Sequence, residues 1–181
     1  ARKADISLLS SNINLFPTST IGDFGYNVMV DSPDSSEYDD PFVAYPATVT
    51  ADNQLIATFI SDSNLISGNP GIVPVTVIGN VRRTAGNIIR YSGFKFSLFQ
   101  RKANGTEVLL AVSSSSGAVQ NSNFQQYSAS ANINNGTWEK GDRLVMRWYS
   151  DIGDGVTPSS YEFQLGGLDP TVLKVTVPVS V

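Results

Sequence analysis

The side chains best placed to do chemistry in this chain are carboxylates, because the sequence contains no histidine and no cysteine. Without histidine it lacks the usual general base at neutral pH and the commonest metal ligand. Without cysteine, disulfides and thiolate metal sites are excluded. Five acids, Asp31, Asp34, Glu37, Asp39 and Asp40, crowd into residues 31–40. Calcium takes oxygen ligands of this kind. The spacing lacks the alternate acids, central glycine and terminal glutamate of an EF-hand, so a solvated acidic loop is the expectation. Asp151-Ile152-Gly153-Asp154-Gly155 is a second candidate for calcium, but Asp-Gly is ordinary turn chemistry. Glycoside hydrolysis needs two converging carboxylates. Glu107, Glu139 and Glu162 are the acids on or beside strand-like segments, and nothing in the spacing brings any two together.

Other chemistries fare no better. The run Ser113-Ser114-Ser115-Ser116-Gly117 reads as a loop, and serine has no histidine to activate it. No glycine motif follows a strand and opens a helix to cradle phosphate. Asn104-Gly105-Thr106 and Asn135-Gly136-Thr137 match the N-glycosylation pattern, yet Asn-Gly has a better local reason as a turn. The expectation is a protein with no enzymatic activity, no cofactor and no metal.

The elements that must position these residues are strands. In Phe94-Lys95-Phe96-Ser97-Leu98-Phe99-Gln100-Arg101, the residues Phe94, Phe96 and Leu98 share one face. In 142–149, Leu144, Met146 and Trp148 share one face; Arg143, Val145, Arg147 and Tyr149 share the other. Leu173, Val175, Val177, Val179 and Val181 alternate in the last segment. A period of two marks half-buried strands. Further strands are expected at 26–30, 46–50, 54–60, 72–82, 106–113, 124–133 and 160–165. Asn104-Gly105, Lys140-Gly141-Asp142 and Gly166-Gly167 supply the turns. No segment of about ten residues has a 3.6-residue period, so an antiparallel sandwich or barrel follows.

Residues 1–22 break the pattern. Leu8, Leu9, Ile13, Leu15 and Phe16 are too apolar to be left in water but do not alternate. The expectation is an N-terminal arm over 1–22 ahead of a domain at 23–181, lying on its own sandwich or a neighbouring subunit or docked onto another protein. Arg2 and Lys3 favour docking, with residues 1–16 removable without unfolding the domain. The face bearing Arg143, Arg147 and Tyr149 meets either solvent or another subunit, since Arg and Tyr are enriched at interfaces.

The 181 residues suit one domain, and a net charge of −4 is a poor footprint for nucleic acid. No apolar run approaches the roughly 20 residues of a bilayer span, so no membrane partner is expected. The N-terminus Ala1-Arg2-Lys3 lacks the apolar stretch of a signal peptide. Synthesis in a cytoplasm, as a whole gene product, is the matching expectation.

Several motifs, in order, carry a family resemblance. Phe99, Arg101, Gly105, Thr106 and Glu107 sit within FSLFQRKANGTEVLLAV, from Phe96 to Val112. Gly141-Asp142-Arg143-Leu144-Val145-Met146-Arg147-Trp148-Tyr149 follows, then Gly166-Gly167-Leu168-Asp169-Pro170 and a final Val175-Thr176-Val177-Pro178-Val179 strand. Asn12-Ile13-Asn14-Leu15-Phe16-Pro17 and Gly25-Tyr26 open the series. Together these resemble the jelly-roll virion proteins of tailed bacteriophages. Leu168, where threonine is commoner, and the acidic insertion at 31–40 depart from the pattern. The resemblance implies a jelly-roll sandwich, often trimeric, from a head-decoration, head-fibre or tail-tip protein. It implies a homotrimer on the surface of the particle, made in the host cytoplasm and bound to the major capsid protein or another virion protein. The small size favours a capsid decoration or cement role. The alternative is a tail or fibre receptor-binding protein for host glycans, with the acidic loop and Trp138 as contacts, although Trp138 is better read as a core residue at the sandwich edge.

Overall fold

A computed structural model describes residues 9–31, 44–62, 66, 68–86, 92–134, 136–153, 158–165 and 170–179. Its elements are β1 (Leu9–Ile21), the one-turn 3-10 helix η1 (Asp23–Gly25), β2 (Asn27–Val30), β3 (Ala44–Val49), β4 (Leu55–Ile60) and β5 (Val73–Ala85). They continue as β6 (Ser92–Arg101), β7 (Glu107–Val112), β8 (Gln125–Ile133), β9 (Arg143–Ile152), β10 (Ser159–Gln164) and β11 (Val172–Val179). Every strand expected from alternation has its counterpart from β2 to β11.

The strands form two hydrogen-bonded layers. In the first, β8 lies on one edge of β5, and β10 and β11 follow each other along the opposite edge. There β3 extends β10, and the N-terminal half of β1 extends β11. In the second layer the order is β1, β2, β4, β9, β6, β7. All pairs are antiparallel except β2 with β4, which run parallel. The expected all-β sandwich is the fold.

The inward faces meet as the alternation requires. Phe94, Phe96 and Leu98 of β6 and Leu144, Met146 and Trp148 of β9 are fully buried against Val75, Val77, Phe163, Leu173 and Val175 of the first layer. The Trp148 ring lies 4.6 Å from Phe59 beside it and 4.6 Å from Phe163 across the core. Burying each such large side chain contributes about 1.5–3 kcal/mol.

The arm expected at 1–22 is corrected over Leu9–Ile21; residues 1–8 lie outside the described residues. Leu9–Ile21 is a strand that belongs to both layers: Leu9–Leu15 pairs with β11, and Phe16, Pro17 and Ile21 pair with β2. Leu15 is 2% exposed, Ile13 packs against the core, and Phe16 is half-buried. Leu8 lies outside the described residues. The alternation fails because a strand that changes sheet changes which neighbours lie above and below it. Leu15, Pro17 and Thr18 are all buried, and the register slips between Pro17 and Ile21. Proline has no N–H to give a ladder and belongs at such a break. Of the apolar residues expected to dock on a partner, Ile13 and Leu15 are used within the fold itself.

Candidate functional site

The outer face of the second layer gathers the charged and aromatic side chains. Its frame is β6 against β9, whose register sets Lys95, Ser97, Phe99 and Arg101 opposite Tyr149, Arg147, Val145 and Arg143. Their alternate neighbours point into the core, so these eight point outward. The chain then turns through 102–106. Lys102 N donates to Thr106 O at 2.8 Å, Gly105 N to Lys102 O at 2.8 Å, and Thr106 N to Asn104 Oδ1 at 2.9 Å. Gly105 has φ 90°, a value that favours glycine. This turn sets Glu107 of β7 directly opposite Arg101.

Glu107 is the centre of the face. Its Oε1 accepts from Tyr26 Oη at 3.0 Å and from Arg101 Nη1 at 3.1 Å. Its Oε2 accepts from Arg147 Nη2, which also donates to Tyr26 Oη at 3.3 Å. Burial works to raise the Glu107 pKa. The Arg147 and Tyr26 hydrogen bonds, with the Arg147 charge and Arg101 behind them, outweigh it and hold the carboxyl below its ordinary 4.5. Arg147 shows the converse: burial works to lower its pKa, and Glu107 and Tyr26 raise it. Its guanidinium also lies 4.3 Å from the centre of the Phe99 ring.

Above this cluster, η1 folds back over the sheet. Phe24 takes a left-handed conformation, φ 63° and ψ 14°, that non-glycine residues seldom adopt. The residue is 60% exposed, with the Arg101 guanidinium 3.8 Å from the centre of its ring. Arg143 Nη1 donates to Asp23 Oδ2 at 2.7 Å. Asp142, nearly fully buried, accepts from Gln100 Nε2 at 2.6 Å and Glu139 N at 2.9 Å. Burial would raise its pKa, but those donors and the Lys102 charge hold it below 3.8.

Each expected site residue can now be placed. Arg143 and Arg147 share the outer face as the alternation required, and both are engaged within the chain, with Asp23 and with Glu107. Tyr149 stands farther along it, opposite Lys95. Glu107 and Glu162 are far from converging. Glu162 is on the other layer in an ion pair with Arg82, and Glu139 is in an exposed turn. Trp138 is 4% exposed and cannot serve as an open stacking platform. The acidic segment lies outside the described residues from position 32 to 43, as does 154–157 in the second acidic candidate. Among the described residues, no three acids gather as a metal site would require.

Tyr26, Phe24 and Glu107 as the centre were not read from the sequence as site residues. One signal was available: Arg101 and Glu107 flank a short turn, which places them side by side in register. Tyr26 and Phe24 arrive through the return of η1, which no alternation marks.

The same face carries exposed apolar side chains. Leu109 is paired with Phe99, Val112 with Ser97 and Leu55 with Tyr149, so all three point outward. Leu109 and Val112 are each 55% exposed. Single exposed aliphatics are ordinary. Here they share one face with Phe24, and β7 ends the strand order of its layer.

No family model and no curated protein matches the sequence. Solved structures do resemble the fold. One is a CocE/NonD family hydrolase from Staphylococcus aureus, with a TM-score of 0.58 and 8% identity, covering 93% of this chain and 37% of that one. Another is an α-amino acid ester hydrolase labelled with selenomethionine, with a TM-score of 0.58 and 8% identity, covering 92% of this chain and 36% of that one. The chain thus spans little more than a third of either hydrolase. At this identity the likeness concerns the fold alone.

Proposed function

We propose that this chain is a non-enzymatic building unit of a tailed-phage particle, a jelly-roll decoration or cement protein that works by packing on the head surface. The observation that carries the reading is the outer face of the second layer. Arginine, tyrosine and phenylalanine lie there on a preformed network, with Leu55, Leu109 and Val112 exposed around it. That composition, aromatic and Arg-rich with apolar contacts, is what distinguishes interface cores from ordinary surface. The ordered motifs from Asn12 to Val179 supply the phage context. Homotrimers on the particle surface, bound to the major capsid protein, complete the proposal.

The carboxylates favour packing over catalysis. Glu107 is held ionised and already accepts from Tyr26, Arg101 and Arg147, so it has no proton to give as a general acid. Glu162, on the opposite layer, is tied to Arg82. The hydrolase activity of the similar structures belongs to chains of which this one spans about a third.

The deciding experiment is mass spectrometry of purified particles with antibody labelling seen by electron microscopy. Label on the head is expected. Label confined to the tail would replace the cement role with a receptor-binding one, and absence from particles would reject both.

A further inference from the structure

A cavity of about 400 Å³ opens at one corner of the outer face, between the 102–105 turn, the Gly141 turn before β9 and the Phe24 ring. We infer that this cavity receives a carboxylate from an acidic segment of a protein partner. The inference rests on the assembly reading above and names the partner's chemistry.

Positive charge is concentrated at this corner. Arg101, Lys102 and Arg143 line the cavity, and Arg147 lies behind it, in a chain with only 12 Lys and Arg and a net charge of −4. The acids at hand are Asp23, Glu107 and Asp142, so this corner keeps a positive balance of one within a negative molecule. An acidic partner meets a positive balance here on a molecule of net negative charge.

The corner also holds hydrogen-bond donors beyond those its own acids use. A guanidinium has five N–H donors in a fixed fork. Arg101 spends one of its donors on Glu107, and Arg143 one on Asp23. The Lys102 ammonium lies 3.8 Å from Asp142, beyond hydrogen-bond length, and is 33% exposed. The Arg101 Nη2 side faces Gly105, where a Cβ would come within 3.6 Å of it. A carboxylate entering the cavity would meet a fork and an ammonium.

The walls are built from unusual backbone. Phe24 at φ 63°, Gly105 at φ 90° and Gly141 at φ 93° all hold backbone conformations in the left-handed half of the map. The strained Phe24 keeps an aromatic ring at the mouth, where an apolar part of the ligand can lie. Strain of this kind persists where surrounding structure enforces it and clusters at binding sites. The cavity opens on the face that exposes Leu109 and Val112, so a partner reaching into it would also cover them.

The test is a titration of the isotopically labelled whole chain, followed by amide NMR. The probe is an acetylated hexaglutamate peptide; hexaglutamine and inorganic phosphate are the controls. Saturable shifts confined to the neighbourhood of Phe24, Gly105 and Gly141 are expected with hexaglutamate and not with hexaglutamine. Affinity should fall at least tenfold in the Lys102→Gln/Arg143→Gln double variant. If that variant fails to fold, Lys102→Gln alone carries the comparison. Three outcomes would overturn the inference: no saturable shift, equal affinity for phosphate, or unchanged affinity in the variant. Light scattering on the same samples separates this inference from the assembly reading. A chain that binds hexaglutamate yet stays monomeric and is absent from particles keeps the site and loses the proposed function. A trimeric, particle-borne chain that ignores the peptide does the reverse.

Discussion

Glu107 shows how one residue can organise a surface and why its charge matters to folding. Its folded-state pKa lies below the ordinary 4.5, so the folded chain prefers the ionised form. Stability from this group is present above pH 4.5 and is lost as the pH falls through the lower folded value. Asp142, also depressed from 3.8, adds loss in the same direction. Thermal melts between pH 6 and 3 should therefore show a falling midpoint, with the fall concentrated below about pH 4.5. Glu107→Gln should cost about 1–3 kcal/mol near neutral pH, since it strips Arg147 of its charged acceptor. The same variant should flatten part of the acid limb. A Glu107→Gln melt as steep in acid as the parent would contradict this account.

At the scale of the element, β1 is the lesson. The strands from β2 to β11 were legible because each keeps one face on one core, and period two survives in residue type. Phe94, Phe96 and Leu98 announce their direction, and so do Arg143 and Arg147 across the same sheet. β1 was illegible because it changes sheet near Pro17, and a pattern read along one chain does not record a change of partner. Phe24 and Tyr26 were missed for a related reason: they join the site by a fold-back, not by periodicity. The consequence for β1 is quantitative. Leu15 is buried at 2% exposure, and Leu15→Ala should cost about 2–5 kcal/mol in denaturant unfolding. Deleting residues 1–16 should unfold the domain, because β11 would lose its outer neighbour along Leu9–Leu15. A truncated chain with an intact β spectrum and a cooperative melt would restore the picture of a dispensable arm.

At the scale of the whole molecule, the proposal demands self-association. Light scattering coupled to size exclusion should give three times the chain mass of 19.4 kDa. Closed symmetric rings are the ordinary outcome for such units. If the outer face of the second layer is the contact, a Leu109→Asp/Val112→Asp variant should keep its β spectrum and a cooperative melt, since both side chains are 55% exposed in the single chain. It should shift the mass to one chain. A variant that remains trimeric would move the interface to another face.

The pairing of β1 with β11 also sets a clock on synthesis. Asn12 and Thr176, hydrogen-bonded at 3.1 Å, are 164 residues apart in the chain. At about 5–20 residues per second, the first strand waits roughly 8–30 s for its partner to be made. Throughout that interval the Leu9–Leu15 half of β1 has no ladder partner. Nascent chains stalled before Val172 should be cleaved quickly by added protease, and chains released beyond Val179 should resist. Delay of this length gives chaperones a defined window, and slowing translation should lower the yield of folded chain.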